Sequence, residues 1–173
     1  GIDYAMVIST NAGLWRYMIG DLVRFIDTAT HEIIIAGRIK QFLSLCGEHL
    51  SLDNINQALK EVSTQHQLSF SEYTIHANEE GLQHCWYSGC DEQKADEKII
   101  SELDAALQAI NDDYAYVRKH SMPMPSLLLL PTSVFYTYLE SIGKLGAQNK
   151  MPRVMNKEQA TQWQHFLSAN GYL

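Results

Sequence analysis

The sequence has few cysteines and no pattern that would pair them. It contains three, Cys46, Cys85 and Cys90, and no Cys-x-x-Cys arrangement. An odd number of cysteines without a recurrent spacing argues against a disulfide framework or a zinc knuckle and favours reduced thiols. The first ten residues also lack a basic stretch followed by a long apolar core, so we expect no secretory signal and a cytoplasmic protein.

Long apolar runs and clusters of positive charge are equally scarce. The strongest apolar run is the leucines of residues 127–130, which is far too short to cross a bilayer and predicts a buried strand. The net charge is -7 and the pI is about 5.4, with no basic stripe that would neutralise phosphates. We therefore expect neither a membrane nor a nucleic acid as a partner.

The motifs of several common enzyme classes are missing as well. The chain has no GxxxxGK[ST] phosphate loop, no nucleophile-elbow context for a serine and no HxH or HxxxH pair. A complete phosphate-binding active site is therefore not expected within these residues. The hydrophobic share of 46% and the charged share of 19% nevertheless predict a folded globular chain rather than a disordered one.

The pattern of apolar residues predicts strands first and then helices mixed with strands. Strands are expected at residues 4–9, within 14–27, at 31–38, in a hairpin over 68–88 and at 126–130, with 133–141 either strand or helix. Helices are expected after the N-cap residues Ser51, Asp91 and Asn156, with a further short helix over 111–120. This order predicts an α+β fold, in which short antiparallel strands precede a small mixed sheet flanked by helices.

Two segments place polar groups beside predicted strands. Gly20 and Asp21 interrupt an apolar stretch, either as a bulge whose carboxylate satisfies backbone donors or as a strand-edge acceptor for the paired hydroxyls of a ribose. Arg38 and Lys40 follow the next strand. They are either a solvated strand end or, with the backbone freedom of Gly37, part of a hinge between two domains.

A third segment, residues 143–153, is cationic and poor in helix or strand formers. It contains Lys144, Lys150 and Arg153 among glycines and a proline. Such a loop is either a solvated connector or a mobile arm that carries positive charge to a phosphate or a developing oxyanion when a lid closes. Spacing alone does not decide between Lys150 and Lys144.

These segments read GLWRYMIGDLVRF (residues 13–25), GRIKQFLSLCGEHLS (37–51) and GKLGAQNKMPR (143–153). In this order they resemble three blocks of the auxin-responsive acyl-acid amido synthetases, the GH3 family, and more distantly the acyl-adenylate-forming superfamily. The last block contains the family's Gln-x-Lys-x-Pro-Arg pattern. The resemblance covers nearly the whole chain and implies the lid-type C-terminal domain of these enzymes.

The resemblance also implies roles for individual residues. Tyr17 and Asp21 fall in the family's Tyr-x-x-Gly-Asp block, whose aspartate contacts the ribose of ATP, and Arg38 matches an arginine at the domain junction. Lys40 matches the hinge position. Lys150 matches the catalytic lysine that reaches the adenylate phosphate and the acyl carboxylate.

By the same resemblance, residues 1–40 are the tail of a large N-terminal domain and end in the hinge, while residues 41–173 form the lid. The implied enzyme is an ATP-dependent ligase that adenylates an acyl acid and transfers the acyl group to an amino acid. Its partners are these substrates and its own N-terminal domain. ATP and Mg²⁺ would bind mostly in that domain, whose Ser/Thr/Gly-rich loop is missing here, so we expect this part alone to be inactive.

Two departures keep an alternative open. Plant members commonly carry arginine where Met18 stands and a lysine near the position of His49. Both substitutions remove a candidate phosphate contact and indicate a bacterial-type member. The alternative is a non-catalytic α+β module that binds a small molecule or a regulatory partner.

Overall fold

The computed structural model describes residues 2–38, 43–91, 98–146 and 149–173, with the backbone alone at Arg38. Within these residues the chain forms six strands and five helices. The strands are β1 (Asp3–Ile8), β2 (Tyr17–Asp27), β3 (Glu32–Arg38), β4 (Glu72–Asn78), β5 (Gln83–Gly89) and β6 (Ser126–Leu130), and the helices are α1 (Leu52–His66), α2 (Lys98–Ile110), α3 (Asp112–His120), α4 (Thr132–Ser141) and α5 (Lys157–Ala169). This is an α+β fold, as predicted.

The first sheet is an antiparallel meander of β1, β2 and β3 in chain order, which the sequence also predicted. Its strands are rich in β-branched and aromatic residues, which favour extended backbone. Large apolar side chains remain on its surface, among them Ile26, Ile33 and Ile35. Because a small sheet of this kind gains stability by packing on another element, this surface is suited to contact with a further domain.

Gly20 and Asp21 lie in a bulge inside β2 and do not end the strand. The register with β1 shifts between Ala5 and Val7, so β2 carries extra residues at this point. Gly20 has a φ of +89°, in the left-handed region, and a Cβ there would meet nothing within 4 Å. Glycine is therefore favoured here by backbone conformation and not by crowding.

The second sheet is mixed and consists of β4, β5 and β6. β4 and β5 pair antiparallel, which confirms the predicted hairpin, and β6 pairs parallel to β5. At the outer edge of β4, Ile75 forms an isolated parallel bridge with Val154, so a short extended segment before α5 adds to the sheet. β6 leads directly into α4, so residues 133–141 are helical.

Helices cover both faces of the second sheet. Successive residues of β5 point to opposite faces, and Trp86 joins a core with α1, α2 and α3 while Tyr87 joins a core with α4 and α5. The second core contains an aromatic cluster around Trp163, whose ring centre lies 4.9 Å from that of Tyr138 and 5.2 Å from that of Phe135. The elements that follow β3 therefore share two buried cores.

Side chains at the helix starts confirm two predicted N-caps, and a third predicted cap residue is bonded to α4. Ser51 and Asn156 each form a capping box, at α1 and α5 respectively. The carboxylate of Asp91 accepts a hydrogen bond of 2.8 Å from the backbone nitrogen of Thr132, so it caps α4, while the residues after Asp91, where its predicted cap of the second helix falls, lie outside the described residues. Pro131 precedes α4 and offers no side-chain acceptor, so a carboxylate from elsewhere satisfies this helix start.

Replacing Trp163 would separate packing from hydrogen bonding in the second core. Its side chain is fully buried, and its indole nitrogen has no hydrogen-bond partner among the described residues. We expect Trp163→Phe to cost about 1 kcal/mol of unfolding free energy, because an unsatisfied donor leaves together with some volume, and Trp163→Ala to cost about 3–5 kcal/mol through cavity formation. Urea denaturation followed by circular dichroism measures both changes. Equal losses for the two variants would contradict this account.

Candidate functional site

The predicted nucleotide-binding residues lie on the first sheet. Tyr17 begins β2, pairs with Ile8 of β1 and is 52% exposed. Asp21 is half-buried in the β2 bulge, and its backbone pairs with that of Arg38 at the end of β3. A bulge changes the direction of the side chains it carries, so the strand geometry sets how Asp21 is presented. The hinge candidate Lys40 lies outside the described residues.

Lys150 lies elsewhere, at the start of a segment that runs along the edge of β4. We call residues 151–155 the edge segment. Two backbone hydrogen bonds hold it, one from the Ile75 nitrogen to the Arg153 oxygen at 3.0 Å and one from the Met155 nitrogen to the Ile75 oxygen at 2.8 Å. The edge segment is thus paired like a short strand, although the sequence predicts a loop there.

Side chains strengthen the hold on the edge segment. The Thr74 hydroxyl donates to the Pro152 carbonyl at 2.7 Å. Met151 is 2% exposed and belongs to the core formed with α4 and α5. Lys150, one residue earlier, is exposed and forms no ion pair with any residue that the structure describes. Its ammonium group therefore projects from a backbone that is held on its C-terminal side.

Arg153 has a structural role that the sequence did not reveal. Its guanidinium donates to the Glu72 carboxylate at 2.6 Å and to the Tyr73 carbonyl at 3.0 Å, and it lies 4.5 Å from the centre of the Tyr73 ring. Sequence analysis grouped Arg153 with Lys144 and Lys150 in one cationic loop. The structure corrects that grouping, because Glu72 offsets the charge of Arg153 while both lysines are exposed.

Two clefts flank Lys150. One has a volume of about 420 Å³ and is lined by β4, α4 and the edge segment. The other, of about 170 Å³, is lined by α4 and α5 and also contains Lys144. The structure therefore groups Lys150 with Lys144 beside the second sheet, whereas Tyr17 and Asp21 lie on the first.

A buried hydrogen-bonded pair that sequence analysis did not single out lies between the turn before α1 and β5. Glu48 and His84 are both fully buried, and His84 Nε2 lies 2.7 Å from a carboxylate oxygen of Glu48. The same carboxylate accepts hydrogen bonds from the backbone nitrogens of Leu45 at 2.9 Å and Cys46 at 2.7 Å. The neighbouring His49, which the sequence singled out, is exposed. The pair therefore ties this turn to β5.

Electrostatics keep Glu48 ionised despite its burial. Burial acts to raise the pKa of Glu48, but the hydrogen bonds from His84 and from backbone nitrogens outweigh it, and the pKa lies below its ordinary value of 4.5. The His84 ring stacks on Tyr114 with centres 5.8 Å apart. Tyr114 donates to Asp104 at 2.6 Å, and Asp104 is paired with Arg118. A chain of buried polar groups thus connects the turn to α2 and α3.

The described residues offer no metal centre. Among them, no group of three or more His, Cys, Asp or Glu side chains is arranged to hold a metal ion. No side chain in these ranges is therefore assigned to Mg²⁺. None of the three cysteines, all of which lie in the described ranges, forms a disulfide there. None of the helices in the described ranges is long and apolar enough to cross a membrane.

Two family models match the chain. The model of the GH3 family C-terminal domain matches residues 53–159, and that of the GH3 family central domain matches residues 1–35. The chain belongs to the GH3 family. This confirms the resemblance that the three sequence blocks carried. No curated protein matches the chain.

Solved structures show the same fold as this GH3 chain. GH3.15 acyl acid amido synthetase is 20% identical to it over 97% of its length, with a TM-score of 0.77. AtGH3.15 acyl acid amido synthetase in complex with 2,4-DB is also 20% identical, over 94% of the chain, with a TM-score of 0.71. The chain spans only about a third of those proteins, 34% and 32% respectively.

The Glu48 carboxylate makes the stability of this GH3 chain sensitive to acid. Because its pKa is lower in the folded protein than the ordinary 4.5, its contribution is present above that value and is lost as the pH falls through the folded pKa. We expect Glu48→Gln to lower the unfolding free energy by about 2–4 kcal/mol near neutral pH, since one backbone donor then faces an amide N–H. The difference from the unsubstituted protein should shrink below about pH 4.5.

Chemical denaturation across this pH range measures the difference. Glu79→Gln is the matched control, because that carboxylate is exposed and its ion pair with Lys157 contributes little. A Glu48→Gln difference that stays constant down to about pH 3 would refute the linkage.

Proposed function

We propose that this GH3 chain is the C-terminal part of an ATP-dependent acyl-acid amido synthetase. The proposal is carried by the presentation of Lys150, an exposed lysine at the start of the edge segment, within the block that resembles the family's lysine-bearing sequence. Family membership and the shared fold support a ligase of the adenylate-forming type. The chain's length, about a third of the solved relatives, agrees with a role as one part of a longer enzyme.

The proposed reaction has two steps with different demands. In the first, a carboxylate oxygen of the acyl acid attacks the α-phosphorus of ATP, and pyrophosphate leaves. In the second, the amine of the amino acid attacks the acyl carbon, AMP leaves and the amine loses a proton. The first step brings two anions together and benefits from a nearby cation, whereas the second needs space for the amine at the same carbonyl. A moving lid serves both steps better than one fixed site.

We assign the delivery of positive charge to the Lys150 ammonium. It is exposed and has no ion-pair partner in the described ranges, so its charge is available for a phosphate. Lys144 lines one of the same clefts and is the alternative donor. Lys150 is preferred because it adjoins the edge segment and aligns with the lysine of the family's pattern.

The nucleotide would bind at the first sheet. The half-buried carboxylate of Asp21 is an acceptor suited to the paired hydroxyls of a ribose, and the exposed ring of Tyr17 offers a face for the base. Arg38 follows opposite Asp21 at the end of β3. Lys40, two residues further along, would be the pivot about which the lid turns. ATP would thus be shared between this sheet and the larger N-terminal domain.

Exposed apolar side chains favour that N-terminal domain as the partner of the first sheet. Trp15 is 79% exposed, Ile26 59% and Ile35 70%. Apolar surface of this kind normally packs against another domain or protein. We therefore place residues 1–40 with the N-terminal domain and residues 41–173 in the lid.

In the full-length protein, we expect Lys150→Ala to lower acid-dependent exchange of pyrophosphate into ATP by about 100-fold or more. The reason is that removing a cation from the reacting phosphate removes transition-state stabilisation. Asp21→Ala should instead raise the KM for ATP more than it lowers kcat, because it removes a contact with the ribose. Labelled-pyrophosphate exchange with a panel of acyl acids measures both effects.

Lys144→Ala is the matched comparison, because Lys144 shares a cleft with Lys150. We expect it to retain most of the exchange activity, and a loss as large as that of Lys150→Ala would transfer the role to Lys144. Absence of any acid-dependent exchange in the unsubstituted protein would contradict the synthetase. Calorimetric titration with ATP, unaffected by Asp21→Ala and Lys150→Ala, would then support the non-catalytic module.

A further inference from the structure

We propose that Arg153 is a positioning residue for Lys150, acting through its ion pair with Glu72 of β4. The inference rests on the proposed function, because it concerns how the lysine that delivers charge is held. The relevant geometry is independent of that function. Arg153 lies three residues after Lys150, and its side chain links the edge segment to Glu72 and Tyr73, the first two residues of β4.

The Arg153 guanidinium makes three contacts with two successive residues. It donates to the Glu72 carboxylate and to the Tyr73 carbonyl, and it covers the Tyr73 ring. The side chains of Arg153 and Glu72 are 30% and 18% exposed, so water screens this pair less than a fully exposed one. Meanwhile the backbone oxygen of Arg153 accepts from Ile75. Side chain and backbone of one residue thus fix the edge segment against β4.

The chain between Arg153 and Lys150 has little freedom to absorb a displacement. Pro152 has a fixed φ and restricts the residue before it to extended backbone. That residue, Met151, has its side chain buried in the core of α4 and α5. A shift of the backbone at Arg153 is therefore transmitted to Lys150 rather than lost in a flexible connection. Because a misplacement of about 1 Å can reduce a rate by about 100-fold, such a shift matters for the proposed reaction.

The same region provides a matched control pair. Lys157 and Glu79 also join the chain after the edge segment to the end of the β4 region, with a distance of 3.4 Å. Their side chains are 86% and 71% exposed, so this pair contributes little to fixing the backbone. Substituting Lys157 changes one positive charge nearby without touching the Arg153 contacts.

The test uses both half-reactions of the full-length protein. We expect Arg153→Gln to lower kcat for pyrophosphate exchange about 10-fold, with little change in the KM for ATP, and Arg153→Lys to restore part of it. Transfer from a supplied acyl-adenylate to the amine should be unchanged, because this step does not need the lysine at the phosphate. Glu72→Gln should resemble Arg153→Gln, and Lys157→Ala should resemble the unsubstituted protein.

A double-mutant cycle separates positioning from a general effect on folding. If Arg153 acts through Lys150, Arg153→Gln has no further effect on exchange in the Lys150→Ala background. If Arg153→Gln lowers the exchange activity of Lys150→Ala by the same factor as it lowers that of the unsubstituted protein, the proposal is overturned. Equal losses of activity in the two half-reactions would also overturn it, because a folding defect removes active protein from both.

A structural readout covers the case in which the unsubstituted protein shows no exchange and the proposed function fails. Cleavage after Lys150 by a lysine-specific protease and hydrogen exchange at the Met155 amide both report on the edge segment. We expect both to be faster in Arg153→Gln than in Lys157→Ala. Faster rates would retain Arg153 as the residue that holds Lys150 in place, and unchanged rates would overturn the inference.

Discussion

The pairing of residues 151–155 with the edge of β4 is the constraint on which the rest of this structure depends. Ile75 both donates to and accepts from this segment, and β4 in turn pairs along its length with β5. Helices pack on both faces of that sheet and form two buried cores. The position of Lys150, the residue before the segment, therefore depends on these cores. Under the proposed function, this placement reduces the conformational entropy that Lys150 would lose on binding a phosphate, compared with a lysine on a long free loop.

In this part of the chain, arginines form structural ion pairs, whereas lysines stay exposed. Arg118 and Arg153 lie in partly buried ion pairs, whereas Lys144 and Lys150 are exposed. A planar guanidinium suits several fixed contacts at once, and a compact ammonium on a flexible stem suits a contact that forms and breaks. A chain with a net charge of -7 can therefore present local positive charge without a basic stripe. The overall charge of the chain therefore does not argue against the proposed binding of a nucleotide.

The sequence predicted those features that depend on residues close together in the chain. The capping boxes at Ser51 and Asn156, the hairpin of β4 and β5 and the apolar period of α1 are all local signals, and the structure confirms them. The family was recognisable because three blocks occurred in order. The roles proposed for Asp21 and Lys150 came from that resemblance alone, since a bulge explains Asp21, and a surface loop explains Lys150, equally well by pattern.

Side-chain contacts between residues distant in sequence were not predictable, because an ion pair or a helix cap of this kind produces no periodic pattern in the sequence. Asp91 precedes a helical pattern, which predicts an N-cap, but nothing in the pattern indicates that its carboxylate accepts from Thr132, 41 residues away. By charge alone, Arg153 cannot be distinguished from Lys150, but Arg153 binds the carboxylate of Glu72 on β4, 81 residues away in sequence. Only one of these two cations reaches that strand. Tertiary contact therefore decides which cation of residues 143–153 is held in an ion pair: Arg153 is paired with Glu72, and Lys150 is exposed.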